Sequence, residues 1–191
     1  MSAWLRLTGV VAGYDGPVVG PVSLTLARGE VLGIAGPNGV GKSTLIGAIL
    51  GEARLYAGEI WRAPGLRLAH LPQRLVRPRE LPLTGREWLA CLQASTQALP
   101  RALARIETQR LDRLSGGEYQ LLHLWGVLSG PAGLVLLDEP TNHLDPVHVH
   151  LAAEAIAARR TEGAVMVVSH ERDFLHQVCD RIHDLAPGAG G

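Results

Sequence analysis

The amino-acid sequence predicts an α/β fold, in which a mainly parallel sheet is joined to an N-terminal antiparallel β part and a small helical lobe. Apolar segments of strand length alternate with helical segments along most of the 191 residues, as is typical of parallel sheets covered on both faces. The first segments instead alternate apolar and polar residues, which favours antiparallel pairing. Residues 74–128 are mostly helical in pattern and predict the lobe. This length supports one well-buried core, so we expect one domain over residues 1–191.

Each element follows from hydrophobic periodicity and from turn residues. The predicted strands are residues 4–8, 22–26, 31–35, 134–137, 165–168 and 181–185. The predicted helices are residues 43–50, 87–94, 102–110, 116–128 and 146–160, with one more before the last strand. The first two strands are expected to pair, and residues 58–71 predict a hairpin that turns at Pro64 and Gly65. The Gly-Ala tail at residues 187–191 is predicted to be disordered.

The composition excludes several classes of partner. Eighteen basic residues balance eighteen acidic ones, so no net field attracts nucleic acid, and no nucleic-acid partner is expected. Cys91 and Cys179 are far apart in helical, apolar contexts and are predicted to be buried free thiols, which fits a reducing cytosol. The sequence has no leader peptide pattern and no apolar run long enough to span a bilayer.

Residues 36–44, GPNGVGKST, match in full the pattern of a phosphate-binding loop. Glycines let backbone amides point at phosphate oxygens, while Lys42 reaches the terminal phosphates and the Ser43 hydroxyl can ligate magnesium. The loop follows a predicted strand and precedes a helix, so we expect a sheet of the P-loop NTPase type. The predicted phosphate-binding residues are Gly36, Pro37, Asn38, Gly39, Val40, Gly41, Lys42, Ser43 and Thr44.

Two later strands deliver polar residues to the same edge of the sheet. Asp138 and Glu139 end an apolar strand and point to opposite sides, so they cannot do the same job. One can hold magnesium through water while the other acts as a general base, although a solvated acidic strand end is the simpler alternative. His170 follows another strand and could hydrogen-bond a terminal phosphate or the attacking water, whereas a lone histidine there is usually a surface group.

The segment LSGGE at residues 114–118 starts a helix as a second anion site would. Ser115 suits an N-cap, Gly116 and Gly117 allow close backbone approach, and Glu118 fits the positive end of the helix dipole. An ordinary capped helix explains these residue types as well. However, a phosphate held by the loop at residues 36–44 has one face open. The same helix start of a second copy could close that face.

Taken in this order, the motifs resemble the ATPase domain of ABC proteins over nearly the whole chain. GPNGVGKST resembles the Walker A loop, LSGGE the signature, LVLLDEP the Walker B strand and VSH the histidine switch. Residues 143–145, HLD, resemble the loop that crosses the dimer. Gln73 stands where the family has its glutamine loop, and Tyr14 where an aromatic residue stacks on adenine.

This resemblance implies ATP and Mg²⁺ as cofactors. It implies Glu139 and His170 as catalytic residues and Ser43, Gln73 and Asp138 around the metal. The implied nucleotide contacts outside the phosphate loop are Tyr14, Gln73, Ser115, Gly116, Gly117, Glu118 and Asp145. Two domains would face each other head to tail, in a homodimer, so that each signature completes the ATP site of the other. The chain departs from the family after Gln120, where Leu121 replaces the usual arginine.

Two functions agree with this resemblance. Residues 73–86 resemble ATPases of zinc and manganese importers, which implies a cytoplasmic subunit attached to the inner face of the membrane and bound to a membrane-spanning subunit. We expect that contact around Pro82, Leu83 and Trp88. The alternative is an ABC-F type factor that acts on ribosomes, which DEPTNHLD and VSHERDFL resemble. Such factors carry two ATPase domains and a charged linker, so the single domain favours the transporter.

Two further interpretations have less support. A chromosome-repair type ATPase would need a coiled-coil insertion, and the sequence has no sustained heptads. His143, His148 and His150 suggest a metal site. Asp145 as an N-cap and Pro146 as the first helical residue explain that segment better.

Overall fold

The computed structural model describes residues 3–76, 82–96 and 99–186, whose strands form two sheets. In chain order the strands are β1 (Ala3–Gly13), β2 (Pro17–Ala27), β3 (Val31–Ala35), β4 (Arg54–Arg62), β5 (Leu68–Leu71), β6 (Leu134–Asp138), β7 (Ala164–Val168) and β8 (Arg181–Asp184). The helices are α1 (Lys42–Leu50), α2 (Gly85–Cys91), α3 (Arg101–Ile106), α4 (Gly116–Leu128), α5 (Pro146–Arg159) and α6 (Arg172–Val178). The predicted disordered tail at residues 187–191 lies outside the described residues.

The smaller sheet is antiparallel and has the order β2-β1-β4. Leu7 pairs with Leu24 across β1 and β2, so the predicted pairing of the first two strands is confirmed. Leu5, Leu7, Leu24 and Leu26 are buried while their neighbours Arg6 and Thr25 are exposed. The period-two pattern therefore reflects a sheet that has one face on the core and the other in solvent.

The larger sheet is parallel, as predicted, and has the order β5-β6-β7-β3-β8. Both of its faces are covered: Leu134 and Leu136 of β6 pack with α1 and the antiparallel sheet, while Val135 and Leu137 pack with α4, α5 and α6. This explains why the first four residues of β6, Leu134–Leu137, are all apolar rather than alternating. The carboxyl ends of β3, β6 and β7 are neighbours, and this edge carries three of the predicted motifs.

The helical lobe has an apolar cluster of its own. Leu89 of α2, Leu103 of α3 and Leu122 of α4 are fully buried in it. Further along α4, Leu124 and Leu128 pack instead into the core beneath the parallel sheet. One helix therefore joins the lobe to the main core, and the signature residues stand at its lobe end.

Two sequence predictions are wrong. The hairpin over residues 58–71 does not form, because β4 pairs with β1 in the antiparallel sheet while β5 pairs with β6 in the parallel one. Cys91 is a free thiol, but it is exposed at the end of α2 rather than buried. Cys179 is also free and is half-buried, and burial raises the pKa of its thiol to about 12.

Among the described helices, none is both long enough and apolar enough to cross a membrane.

Candidate functional site

The predicted phosphate loop lies between β3 and α1 and depends on its glycines. Gly39 and Gly41 have φ angles of 81° and 99°, in the left-handed region that side chains rarely adopt. A Cβ on Gly41 would also lie 2.6 Å from the Cβ of Val19 in β2, because the antiparallel sheet packs closely against the loop. The Lys42 ammonium donates hydrogen bonds to the carbonyls of Gly36 (2.9 Å) and Pro37 (3.2 Å). The loop is thus closed around the one cation it contains.

This loop forms one wall of a cavity of about 300 Å³. The lining residues are Val18, Asn38, Gly39, Gly41, Lys42, Ser43, Thr44, Gln73 and Glu139. Gln73, which follows β5 in the sequence, therefore lines the same cavity as the phosphate loop. A cavity with a lysine, two hydroxyls and a glycine-rich backbone offers the donors that a phosphate group requires.

Glu139 is the buried carboxylate of this cavity. It is 3% exposed, and its φ of 50° turns the chain away from β6 directly after Asp138. Its Oε1 lies 3.7 Å from the Lys42 ammonium. Its Oε2 accepts a hydrogen bond from the Ser169 hydroxyl (3.2 Å) and lies 2.9 Å from Nδ1 of His170. Sequence-distant motifs thereby meet on a single carboxylate, which can serve as a general base for a water molecule in the cavity.

Asp138 faces a different partner. Its carboxylate is 4% exposed and hydrogen-bonded to the Ser43 hydroxyl, at the start of α1. Burial raises the pKa of Asp138 above its ordinary value, and the hydrogen bond from Ser43 partly opposes that shift. The Oδ1 atom is buried and has no hydrogen-bond partner within the described ranges. An unsatisfied carboxylate oxygen beside a hydroxyl fits a hard cation such as Mg²⁺, which prefers oxygen ligands.

The signature residues start α4 with a complete capping box. The Ser115 hydroxyl accepts a hydrogen bond from the Glu118 amide (3.2 Å), and the Glu118 carboxylate accepts one from the Ser115 amide (2.8 Å). That backbone hydrogen bond lowers the pKa of Glu118. A Cβ on Gly117 would lie 3.0 Å from the carbonyl oxygen of His143, so the signature packs closely on the predicted dimer-crossing loop. The capping box fixes the direction in which the first turn of α4 points.

Some predicted nucleotide contacts stand apart from the cavity. Ser115, Gly116, Gly117, Glu118, Asp145 and Tyr14 are absent from the described lining. Asp145 caps α5, where its carboxylate accepts a hydrogen bond from the His148 amide (2.9 Å). Tyr14 is 57% exposed, and its carbonyl accepts a hydrogen bond from the Tyr56 hydroxyl (3.1 Å). In a single chain the second predicted anion site therefore takes no part in the described lining of this cavity.

Two residues of the site, Ser169 and Val18, were not predicted from the sequence. The histidines that suggested a metal site lie elsewhere. Ser169 binds Glu139, and the VSH motif could have indicated it; Val18 reaches the cavity only through the packing of two sheets, which no local signal records. His148 and His150 pair separately with Asp145 and Glu154. Within the part of the chain that the structure describes, no group of three or more His, Cys, Asp or Glu residues could hold a metal ion.

Comparison with known proteins identifies the family. The family model described as ABC transporter matches residues 19–142. The zinc import ATP-binding protein ZnuC of Paracoccus denitrificans is 36% identical over 179 residues, which cover 89% of this chain and 70% of that protein. The hemin import ATP-binding protein HmuV of Pseudomonas fluorescens is 37% identical over 199 residues, covering 90% of this chain and 78% of that one.

The fold agrees with this assignment. A solved structure of the ATP-binding subunit of an ABC transporter superposes with a TM-score of 0.80 at 25% identity and covers 97% of this chain and 87% of that one. The family model thus matches more than half of the sequence, and the relatives are more than 30% identical to it. Both findings agree with the geometry of the cavity. The chain therefore belongs to the ABC transporter family, as an ATP-binding subunit that hydrolyses ATP.

Proposed function

We propose that this subunit binds ATP with Mg²⁺ between two copies arranged head to tail, and that hydrolysis drives the import of a metal ion. One observation carries the arrangement: Lys42, Ser43 and Glu139 share a cavity whose described lining lacks the signature helix. The metal cargo is supported by two relatives named as zinc and hemin import proteins. These names guide the choice of cargo to be tested.

Within each copy the chain's own residues would divide the chemistry. Lys42 and the loop amides would hold the phosphates. Ser43 and Gln73 would provide oxygens for Mg²⁺ and Asp138 would hold it through water, and the bound cation neutralises phosphate charge. Glu139 accepts a proton from the attacking water. His170, whose Nδ1 lies 2.9 Å from that carboxylate, keeps it oriented. Tyr14 would stack on the base, because it is exposed in the turn between β1 and β2.

The second copy would supply the missing wall. The amides of Gly116 and Gly117 lie in the first turn of the capped helix α4, where the helix dipole favours an anion. The loop that carries Asp145 packs on Gly117 through the His143 carbonyl, so signature and crossing loop would reach the facing copy as one surface.

Trapping the dimer tests this arrangement. Glu139→Gln keeps the side-chain shape but removes the base, so ATP should persist and a dimer should appear in size-exclusion chromatography. Adding Ser115→Arg should abolish the dimer, because a bulky cation fills the space of the facing phosphate, while ATP still binds the monomer. Loss of monomer binding in that variant would mean that both helix starts serve one nucleotide.

Mixing two variants separates the two halves of the composite site. In the Glu139→Gln background, a Ser115→Arg chain keeps its phosphate loop and a Lys42→Ala chain keeps its signature. Together they should form a dimer with one occupied site, although neither dimerises alone. Absence of the mixed dimer, with both chains folded, would contradict the head-to-tail arrangement.

The contact with a membrane subunit is best tested with a residue outside the lobe cluster. Leu83 and Trp88 are half-buried against the lobe cluster, so charged residues there would damage the lobe itself. Val76 is 87% exposed and follows Gln73, so Val76→Glu should reduce co-purification from detergent-solubilised membranes. Leu55→Glu, on the far antiparallel sheet, is the matched control. ATP-dependent co-sedimentation with ribosomes instead would favour the ABC-F alternative.

Cargo can be identified by uptake. Cells that carry the Glu139→Gln chain should lose ATP-driven import of one metal among zinc, manganese and hemin iron, while cells with the wild-type chain retain it. Unchanged uptake of all three would refute the metal cargo and would leave the ATPase assignment intact.

A further inference from the structure

His70 lies next to the carboxylate that the proposed function assigns to magnesium. In the parallel sheet Leu71 of β5 pairs with Leu137 of β6, which places His70 beside Leu136. Leu68 and Leu136 pack in the same apolar cluster, so His70 and Asp138, two residues further along each strand, share that face. Diagonal neighbours on a sheet are about 7–8 Å apart, a gap that long side chains reach across.

Both side chains carry an unsatisfied buried atom. Nε2 of His70 and Oδ1 of Asp138 are each buried and without a hydrogen-bond partner among the described residues. Leaving a buried polar group unpaired costs about 1–3 kcal/mol, so two such atoms on one face call for a shared partner. The two groups also interact electrostatically, since Asp138 raises the pKa of His70 while burial, the larger effect, lowers it.

We propose that His70 is a positioning residue for the magnesium site, in which one water molecule donates one hydrogen to Nε2 of His70 and the other to Oδ1 of Asp138. This inference rests on the proposed function, because it assigns a role toward the cation that Asp138 and Ser43 would hold. The water's oxygen then faces away from both acceptors and is free to coordinate the cation. His70 thereby fixes the orientation of a carboxylate that Ser43 holds from one side only.

The protonation state of His70 agrees with this role. Burial lowers the pKa of the imidazole, so its neutral form, which has one acceptor nitrogen, is favoured near neutral pH. The test asks whether the acceptor is Nε2, as proposed, or Nδ1. A glutamine amide reaches about as far as Nε2, whereas an asparagine amide reaches only as far as Nδ1.

The test compares His70→Gln with His70→Asn. Binding of Mn²⁺, a paramagnetic substitute for Mg²⁺, is measured by electron paramagnetic resonance in the presence of a non-hydrolysable ATP analogue. His70→Asn should weaken Mn²⁺ binding about 10- to 100-fold, the usual effect of losing an outer-shell partner. His70→Gln should remain within about threefold of wild type, and binding of the analogue in EDTA should not change in either variant.

Several outcomes overturn the proposal. Wild-type affinity in His70→Asn, or equal losses in both variants, would mean that His70 only packs against the sheet. Failure of the wild-type protein to bind Mn²⁺ with the analogue would instead refute the magnesium site itself. If His70→Asn does not fold, ¹⁵N NMR of the wild-type imidazole decides: adding Mg²⁺ and the analogue should shift the Nε2 signal, and an unchanged signal refutes the role.

Discussion

Acid should destabilise the lobe through His123, a histidine in the middle of α4. Its ring lies between Trp88 and Tyr119, with ring centroids 4.7 Å and 4.3 Å away, and its Nδ1 is 3.1 Å from the Tyr119 carbonyl. Burial lowers its pKa from 6.5 to about 4. The unfolded chain therefore binds a proton at a higher pH than the folded chain does. Stability is retained above pH 6.5 and is lost as the pH falls from there toward 4.

The size of this loss follows from the two pKa values. Between pH 6.5 and 4 each unit of pH removes up to about 1.4 kcal/mol, so at pH 5 the folded state has lost about 2 kcal/mol relative to pH 7.5. For a domain of this size that loss lowers the melting temperature by roughly 4–8 °C.

Urea unfolding at pH 7.5 and pH 5 measures the effect. His123→Leu removes the titrating group, so its loss of stability between these two pH values should be smaller than in wild type by about 2 kcal/mol. His176→Leu, which changes an exposed histidine of α6, is the matched control and should behave as wild type. Equal losses in His123→Leu and wild type would refute the reasoning, whatever the stability of the variant at pH 7.5.

Three further predictions concern the ATP site. Lys42→Ala should abolish the rise in melting temperature that ATP causes. In wild type, ATP at a hundredfold excess over Kd stabilises the fold by about 2.7 kcal/mol. An undiminished rise in the variant would refute the phosphate-loop assignment. Glu139→Gln should lower the steady-state rate of phosphate release about 10²- to 10⁴-fold and leave the ATP-induced rise in place, whereas wild-type turnover would exclude Glu139 as the base. Ser115→Ala should cost about 1 kcal/mol in urea unfolding, since the α4 cap is lost, and Ser115→Asp, which keeps an acceptor, should restore most of it.

The site was largely predictable because its parts lie at strand ends. A glycine-rich loop, a pair of acids and a histidine each follow an apolar strand, and parallel strands bring their carboxyl ends to one edge. The period of a strand predicted that Asp138 and Glu139 diverge, and the structure adds a turn of the backbone at Glu139, whose φ is 50°. In the structure Asp138 bonds Ser43, while Glu139 leaves the strand and meets Lys42 and His170.

The hairpin prediction failed because turn residues report only local geometry. Pro64 and Gly65 do form a turn between β4 and β5. However, each of these strands finds its partner far away in the sequence: Trp61 pairs with Arg6, and Leu71 pairs with Leu137. The sheet that a strand joins depends on the apolar surface that the strand and the sheet can bury together. The sequence of the turn between two strands does not contain that information.

The partial burial of Leu83 and Trp88 could not be recognised from the sequence, and the contact with a membrane subunit around them stays a prediction. Both residues belong to a short segment rich in arginine and proline, which gives no clear apolar period. In the structure they pack against the lobe cluster, and Trp88 stacks on His123. A seven-residue helix has too few turns for its buried face to be recognised from periodicity.

Leu121, which replaces the arginine usual in the family, packs in the apolar cluster of the lobe. Leu121 is 3% exposed within the lobe cluster, where an arginine would need buried partners for its charge. The neighbouring Tyr119 donates its hydroxyl to the carbonyl of Val76 (3.0 Å), in the segment that follows Gln73. The first turn of α4 is the signature, its middle packs in the lobe, and its last turn packs in the core beneath the parallel sheet. The hydrogen bond from Tyr119 therefore connects the start of α4, which carries the signature, to the segment after Gln73.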